Sequence, residues 1–194
     1  MANVKLSAAE LELVTNIPVI LTKNRIIAAA NTVLGEACSC YQILLQQAKD
    51  IPDAVKQISP KIYKGENYQG LPWVMLDYPR YFTRHDELAI RSYFWWGHYF
   101  SITLQLSGKF IQAYAHKLQQ LPVAQPGWFL LTDEDKWQHV IDYNNAIPLA
   151  DVALSTLMER PFIKVVRKIP LQQWADAPAF FQDAFEALMK NVLN

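Results

Sequence analysis

The sequence has few residues of the kinds that mark disulfide-rich or metal-binding proteins. Its 194 residues include two cysteines, Cys38 and Cys40. On a helix, residues two apart point in nearly opposite directions, so the two thiols cannot share a metal ion. Because no further Cys or His lies at ligand spacing, we predict that no metal is bound. Two reduced cysteines are typical of a cytoplasmic protein, and we predict that location.

Long apolar runs are also missing. The apolar stretches at 17–21 and 26–30 end well before the roughly 20 residues that a membrane span needs. The first residues lack the apolar region of a signal peptide, so we expect none. We therefore predict that the protein does not bind to a membrane.

A surplus of charge of either sign is absent too. Lys plus Arg and Asp plus Glu number 18 each, which gives a formal net charge of zero. Nucleic-acid-binding proteins usually carry a basic patch, and no such cluster is present, so we predict no nucleic-acid partner. Zero net charge is compatible with self-association, and a homo-oligomer is therefore left open.

Familiar catalytic and cofactor motifs are not found. The sequence has no G-x-S-x-G, no G-x-x-x-x-G-K-[ST] and no G-x-G-x-x-G, and its "CSC" is not a redox C-x-x-C. We predict no cofactor, and no specific reaction follows from the sequence.

The residues that are present indicate one globular domain. With 52% hydrophobic and 19% charged residues, the chain is predicted to form a single domain over residues 1–194. Residues 1–58 have a helical pattern and begin with a capping box, "SAAE". Residues 60–108 are rich in aromatics and resemble strands, and residues 109–194 mix both patterns. The predicted fold is α+β, with a small central antiparallel sheet and the N-terminal and C-terminal helices packed on it.

Three segments of the last part carry local patterns. Thr132 and Asp135 resemble a helix cap, which predicts a short helix continuing to Ile141. "FIKVVRKI" lies between two prolines and predicts a strand. Asp176 and Pro178 resemble the start of a helix whose apolar stripe is Phe181, Phe185, Leu188 and Val192.

The aromatic residues are concentrated in the middle of the chain. Twelve of the 24 lie between Tyr63 and Phe100. Residues 99–107 alternate between apolar and polar side chains, which is the clearest strand signal in the sequence. "LAIRSYFWW" precedes them and is predicted to pair with them as a hairpin that turns near Gly97.

The length of that turn decides which side chains share a face. A two-residue turn, Gly97-His98, places Trp96 opposite Tyr99 and makes both faces apolar near the turn. A three-residue turn from Trp96 to His98 reverses the parity. One face is then apolar, and the other carries Arg91, Tyr93, Trp95, Tyr99, Ser101, Thr103 and Gln105. The sequence leaves both registers open, and the second face could be buried core, a ligand pocket or a protein interface.

Polar residues near the hairpin are candidates for binding. Arg80, Arg84 and Arg91 lie beside aromatic residues, an arrangement that favours carboxylate or phosphate recognition. An ion pair between Asp77 and one of these arginines explains them equally well. We predict a binding module for a small acidic ligand or a protein partner, with these candidate residues: Asp77, Arg80, Arg84, His85, Arg91, Tyr93, Trp95 and Tyr99.

An enzyme is the alternative hypothesis. His85 or His98 could act with Asp77 or Glu66 in a hydrolase or transferase. The motivation is that burial beside an apolar wall can raise the pKa of a carboxyl group or lower that of a histidine.

Two segments carry a resemblance to known proteins. "KGENYQGLPWVMLDYPR" (64–80) and "FWWGHYFSITLQLSGK" (94–109) resemble an uncharacterised family of bacterial proteins, chiefly of the Bacteroidetes type. That family has no assigned function, so the resemblance implies a bacterial, cytoplasmic setting and assigns no role to any residue.

Overall fold

The computed structural model describes residues 4–194. Its α-helices are Ala8–Thr15 (α1), Ile17–Gln47 (α2), Asp53–Lys56 (α3), Lys109–Tyr114 (α4), Leu121–Ala124 (α5), Leu154–Met158 (α6) and Ala177–Leu188 (α7). Its strands are Lys61–Tyr68 (β1), Leu71–Phe82 (β2), Glu87–Trp95 (β3), Tyr99–Ser107 (β4), Phe129–Leu131 (β5), Ala146–Pro148 (β6) and Phe162–Pro170 (β7). Short 3₁₀ turns lie at Ala115–Gln120, Leu149–Asp151 and Leu171–Asp176, and a π-helical turn at Met189–Leu193 follows α7.

The strands form one antiparallel sheet in the order β1-β2-β3-β4-β7-β5-β6. The first four strands are successive neighbours, and β7 pairs with β4 from Tyr99 opposite Pro170 to Ser107 opposite Phe162. The last part of the chain therefore extends the sheet that the aromatic-rich part begins. This arrangement confirms the predicted α+β class, with helices from both ends of the chain on the sheet.

The β3–β4 hairpin has the three-residue turn. Trp95 pairs with Tyr99, so the turn consists of Trp96, Gly97 and His98. Gly97 has a φ of 75°, a backbone conformation that glycine adopts at little cost. Of the two registers that the sequence allows, the structure therefore has the one that separates an apolar face from a mixed aromatic and polar face.

The apolar face lies under α2 and α7. Tyr41 of α2 is fully buried, and its ring stacks on Phe185 of α7 with 3.8 Å between the ring centroids. The Tyr41 hydroxyl lies 2.9 Å from Ser92 Oγ on β3 and donates to the carbonyl of Phe181 at 3.2 Å. One side chain thus joins both long helices to the centre of the sheet.

Three local predictions are confirmed. Ser7 caps α1 in a complete capping box with Glu10, and "FIKVVRKI" lies within β7. The predicted C-terminal helix is present as α7 and the π-helical turn after it, and its whole apolar stripe is buried. Within residues 4–194, none of the helices combines the length and the apolar character that a membrane crossing requires.

The helix predicted from Thr132 to Ile141 is wrong, because residues 132–145 form turns and irregular backbone between β5 and β6. The Asp135 carboxylate accepts a hydrogen bond from the backbone N–H of Trp137, and Asp142 accepts one from that of Asn144. Asp side chains that bind nearby backbone N–H groups stabilise turns at the expense of a helix. This stretch lies across the sheet face opposite α2 and α7, and we call it the covering segment.

Candidate functional site

The mixed face of the sheet is buried although it carries many polar side chains. Asp77, Glu87, Arg91, Gln105 and Lys164 are all exposed by 6% or less. The alternation of strand side chains places them on the face away from α2 and α7. An apolar cluster on the same face consists of Met75, Tyr93, Trp95, Tyr99, Leu131, Ile141 and Val166.

The covering segment is held onto this face mainly through its own backbone. Sheet side chains donate hydrogen bonds to three of its carbonyl groups, and a tyrosine hydroxyl on β4 also accepts one of its N–H groups. The donors are Lys164 Nζ to the carbonyl of Gln138, Lys168 Nζ to that of Ile141 (2.9 Å), and the Tyr99 hydroxyl to that of His139 (2.9 Å). The Tyr99 hydroxyl in turn accepts from the N–H of Ile141 at 2.9 Å.

A cavity of about 290 Å³ lies between the covering segment and strands β1 to β3. Its walls are largely aromatic, and Tyr68 meets Tyr93 edge to face with 6.3 Å between the ring centroids. Ligand pockets usually have volumes of roughly 300–1,000 Å³, so this cavity is suited to a small molecule. The residues that line it are Tyr63, Tyr68, Trp73, Met75, Arg91, Tyr93, Trp137 and His139.

Arg91 is the buried cation of the cavity, and Asp77 binds it in a bidentate manner. Arg91 Nε lies 2.8 Å from Asp77 Oδ1, and Arg91 Nη2 lies 3.2 Å from Asp77 Oδ2. Nη2 also donates to the Tyr63 hydroxyl at 3.0 Å. Burial by itself lowers the pKa of Arg91, but the bonds to Asp77 and Tyr63 outweigh it, and the pKa is raised. Arg91 therefore stays charged.

Two hydrogen-bond donors of the cavity have no partner among residues 4–194. They are Nη1 of Arg91 and the hydroxyl of Tyr93, and both atoms are buried. Burial raises the pKa of Tyr93, so its hydroxyl keeps the proton. A buried donor without an acceptor costs about 1–3 kcal/mol, so both groups favour a ligand that accepts hydrogen bonds.

The guanidinium group of Arg91 lies against two aromatic rings that contact each other, with 5.9 Å between their centroids. Its carbon is 5.6 Å from the centroid of Phe82 and 5.2 Å from that of Trp137. Trp137 belongs to the covering segment and is 47% exposed. The indole therefore forms the outer cover of the charged group.

Two titratable side chains near the cavity have pKa values that their surroundings lower. Burial, together with the charges of Arg91 and Lys164, lowers the pKa of His139 to about 3. Burial also lowers the pKa of Lys164 to about 8, with a contribution from Arg91. At neutral pH His139 is uncharged, whereas most Lys164 side chains still carry a charge, which the nearby carboxylates of Asp133 and Asp135 favour.

The structure brings three of the predicted site residues to the cavity: Asp77, Arg91 and Tyr93. Trp95 lies behind it, where the indole N–H donates to the carbonyl of Tyr68 at 3.3 Å and the ring meets Tyr68 edge to face. Tyr99 anchors the covering segment.

The remaining predicted residues lie elsewhere. Arg80 follows a register shift in β2, and its Nε donates to the carbonyl of Ser59 at 2.7 Å. Arg84 and His85 are exposed in the turn between β2 and β3. The cluster of three arginines in sequence is therefore separated in space, and only Arg91 contacts the cavity.

Sequence reasoning missed Lys164 and six of the residues that line the cavity: Tyr63, Tyr68, Trp73, Met75, Trp137 and His139. Tyr63 and Trp73 could have been placed by extending the strand alternation across the β1–β2 turn, since Tyr63 pairs with Met75. Trp137 and His139 carried no such signal, because the segment that holds them has no periodicity and was predicted to be a helix. Lys164 lies in a predicted strand. The sequence does not show that β7 pairs with β4, and this pairing is what places Lys164 on the mixed face.

The groups of the enzyme hypothesis do not converge. Asp77 binds Arg91 on the mixed face, whereas Glu66 forms an ion pair with Lys23 of α2 on the other side of the sheet. His98 stacks on Trp95 with 3.7 Å between the ring centroids. In the part of the chain that the structure describes, no hydrogen bond joins His85 or His98 to either carboxylate, and no three potential metal ligands cluster.

Comparison with known proteins gives no match to this chain among protein-family models, curated proteins or solved structures. The function is therefore argued from the geometry of the cavity.

Proposed function

We propose that the protein binds a small organic acid in the aromatic cavity, with the carboxylate of the ligand accepting hydrogen bonds from Arg91 and Tyr93. The observation that carries this proposal is the pair of buried donors without partners, Arg91 Nη1 and the Tyr93 hydroxyl, in one cavity. Buried polar groups are almost always hydrogen-bonded in folded proteins. Arg91 and Tyr93 lie two residues apart on β3, so both side chains are on the mixed face of the sheet. A carboxylate has two acceptor oxygens and can accept one hydrogen bond from each of these donors.

The charge of the surroundings supports an anionic ligand. Asp77 already balances the charge of Arg91. Lys164 adds a positive charge that reaches the cavity, as its effect on the pKa of His139 indicates. A carboxylate would be attracted by that charge, and its apolar body would contact the Tyr and Trp rings.

Access to Arg91 requires movement of one side chain. Trp137 covers the guanidinium group, but almost half of its surface is exposed. The backbone of the covering segment is anchored at residues 138, 139 and 141. Rotation of the Trp137 side chain therefore opens the charged group while the segment stays in place.

The burial of this face favours a small ligand over a protein partner. A protein interface needs about 800 Å² of accessible surface on each partner. The covering segment lies over the mixed face and leaves a cavity of about 290 Å³. The enzyme alternative receives no comparable support, because its histidines and carboxylates have other neighbours.

The test measures the binding of benzoate by calorimetry and by Trp fluorescence. Benzyl alcohol, which has the same ring but no charge, is the comparison ligand. We expect saturable binding of benzoate and much weaker binding of benzyl alcohol. Tyr93→Phe removes a buried hydroxyl that has no partner in the protein, so we expect the stability to stay the same or rise and benzoate binding to weaken about tenfold. Tyr143→Phe, at a fully exposed tyrosine, is the matched control. Equal binding by wild type and Tyr93→Phe would contradict the proposed contact.

We also propose a bacterial, cytoplasmic setting. The support is the resemblance of residues 64–80 and 94–109 to a bacterial family and the two free cysteines, of which Cys38 is buried. Thiols that remain reduced are typical of the cytoplasm. Localisation of a tagged full-length protein by fractionation tests this proposal.

A further inference from the structure

His139 of the covering segment is fixed in the wall of the aromatic cavity. Its backbone N–H donates to the Tyr68 hydroxyl at 2.8 Å, and its carbonyl accepts from the Tyr99 hydroxyl at 2.9 Å. The imidazole ring lies against the rings of Tyr68 and Tyr93, with 5.7 Å and 5.4 Å between the ring centroids. A ring held by its backbone and by two neighbouring rings loses little conformational freedom when a ligand binds to it.

The imidazole nitrogens of His139 are free to bind a ligand. Neither forms a hydrogen bond with the described part of the chain, although the backbone groups of the same residue do. Two hydroxyl groups of the cavity wall are already occupied. Tyr63 donates to Asp77 Oδ2 at 2.7 Å, and Tyr68 donates to Gln138 Oε1. The imidazole therefore keeps a hydrogen-bonding capacity that these phenols have used.

The imidazole of His139 accepts one kind of polar group better than others. Burial, together with the charges of Arg91 and Lys164, lowers its pKa to about 3, so the ring is neutral at pH 7 and has one donor and one acceptor nitrogen. A hydroxyl group can bind either nitrogen, because it both donates and accepts. An ammonium group would lack a counter-charge, since no Asp or Glu is among the described residues that line the cavity. An uncharged hydroxyl group therefore suits this part of the wall.

The imidazole and the buried guanidinium group lie at different points along the cavity. Trp137 lies against Arg91, with 5.2 Å from the ring centroid to the guanidinium carbon, and His139 lies against Tyr93, two residues further along β3. Two residues of a strand span roughly 6.5 Å. One benzene ring with a carboxylate and a hydroxyl group bridges a separation of this order. The cavity of about 290 Å³ is at the small end of the range for ligand pockets, which also favours a single ring.

We propose that the ligand is a hydroxylated aromatic acid with one ring, and that its hydroxyl group binds the imidazole of His139. This ligand class rests on the proposed function, because the carboxylate is taken to lie at Arg91 and Tyr93. His139 is then the residue that distinguishes hydroxylated acids from plain ones. An acid of the same size without the hydroxyl group excludes water from the imidazole and gives it no partner, so it binds less tightly.

The test compares meta- and para-hydroxybenzoate with meta- and para-methylbenzoate by calorimetry at pH 7. A methyl group is close to a hydroxyl group in size, so the members of each pair differ mainly in hydrogen bonding. We expect at least one hydroxybenzoate to bind about three- to tenfold more tightly than the methylbenzoate substituted at the same position. NMR of protein with isotope-labelled histidine should show the ring nitrogens of His139 shifting with that hydroxybenzoate and not with the methylbenzoate.

His139→Phe keeps an aromatic ring at this position and removes both nitrogens. We expect this variant to bind benzoate within about twofold of wild type and to lose the preference for hydroxybenzoate over methylbenzoate. His116→Phe, at an exposed histidine, is the matched control and should keep the preference. Thermal unfolding shows whether each variant is folded. If His139→Phe does not fold, the ligand series and the histidine NMR of wild type decide.

The possible outcomes separate the role of His139 from the proposed function. Absence of benzoate binding to wild type would overturn both. Binding of benzoate without a preference for either hydroxybenzoate over its methylbenzoate would overturn the hydroxylated ligand and leave the proposed function standing. A preference that persists in His139→Phe, or one that disappears in His116→Phe, would overturn the assignment of the hydroxyl contact to His139.

Discussion

Arg91 lies on a strand whose adjacent residues, Ile90 and Ser92, point toward the helices. Its own side chain points to the opposite face, where the carboxylate of Asp77 holds it with two hydrogen bonds. Both side chains are exposed by only 7%, so each charge depends on the other for compensation. Removal of one partner from a buried pair is far more costly than replacement of both.

The Asp77–Arg91 pair gives the first prediction. Asp77→Leu should lower the free energy of unfolding by about 3–5 kcal/mol, because it leaves a buried guanidinium without a counter-charge. The double variant Asp77→Leu with Arg91→Met should lose much less stability. Urea denaturation of the two single variants and the double variant measures the coupling. Strictly additive losses would show that the two charges do not compensate each other.

His139 gives a prediction about acid. Its pKa is lowered to about 3 in the folded protein, while the unfolded chain has the ordinary value of 6.5. Between these values the unfolded state binds a proton that the folded state does not, so the free energy of unfolding falls as the pH drops through this window. His139→Gln should reduce that dependence.

The experiment on His139 compares urea unfolding at pH 7 and pH 4.5. Wild type should lose more stability between the two values than His139→Gln does. His116→Gln is the control, because His116 is exposed in a 3₁₀ turn. If the free energy of unfolding depends on pH in the same way in wild type and in His139→Gln, the buried imidazole is not the cause of that dependence.

At the scale of elements, the β3–β4 hairpin could be predicted only in part. The alternation of residues 99–107 identified β4 and both of its faces correctly, because one face must be apolar to pack under helices. The turn length was left open, since Gly97 suits both two-residue and three-residue turns. Packing of Phe94 and Phe100 against Trp174 and Phe181 on the helix side accompanies the three-residue turn. Those contacts join distant parts of the sequence, and no local pattern reveals them.

The covering segment could not be predicted for a different reason. Its position depends on side chains of β4 and β7, including Tyr99 and Lys164, that lie far from it in sequence. Its own Asp and Asn residues bind nearby backbone groups, and the same residues resemble helix caps when only the sequence is considered. As a result Trp137 and His139 were not among the predicted site residues.

Two glycines give a prediction at this scale, because the same substitution should have opposite effects. Gly97 has a φ of 75°, so Gly97→Ala should destabilise the protein by about 1–2 kcal/mol through its backbone alone. Gly35 lies inside α2 with no atom within 4 Å of an added Cβ, so Gly35→Ala should stabilise it by about 0.5–1 kcal/mol. Thermal and urea unfolding of both variants measures the two signs. A stabilising Gly97→Ala would contradict the assigned turn.

At the scale of the whole molecule, the sheet separates two environments. The side under α2 and α7 buries mainly apolar side chains, although it also carries the Lys23–Glu66 ion pair and Arg167. The side under the covering segment contains buried charges, aromatic rings and a cavity. The helix side carries most of the buried apolar surface and supports the sheet. The opposite side is thereby free to hold groups that contribute little to stability, such as the donors without partners.

Tyr41 links the layers of the molecule and gives the last prediction. Tyr41→Phe keeps the stacking on Phe185 but leaves Ser92, which is fully buried, without its hydroxyl partner. The free energy of unfolding should fall by about 1–3 kcal/mol. Tyr143→Phe at an exposed position should change it by less than about 0.5 kcal/mol. Calorimetric unfolding measures both, and equal values for the two variants would show that the buried hydroxyl contributes nothing.

The way the covering segment is attached has a consequence for how this protein can change. Sheet side chains donate hydrogen bonds to the backbone carbonyl oxygens of residues 138, 139 and 141. Every amino acid has a backbone carbonyl oxygen, whatever its side chain. The side chains at Trp137 and His139, which border the cavity, can therefore be exchanged while the loop keeps its place. Single substitutions there change the walls of the cavity and leave the hydrogen bonds that anchor the segment in place.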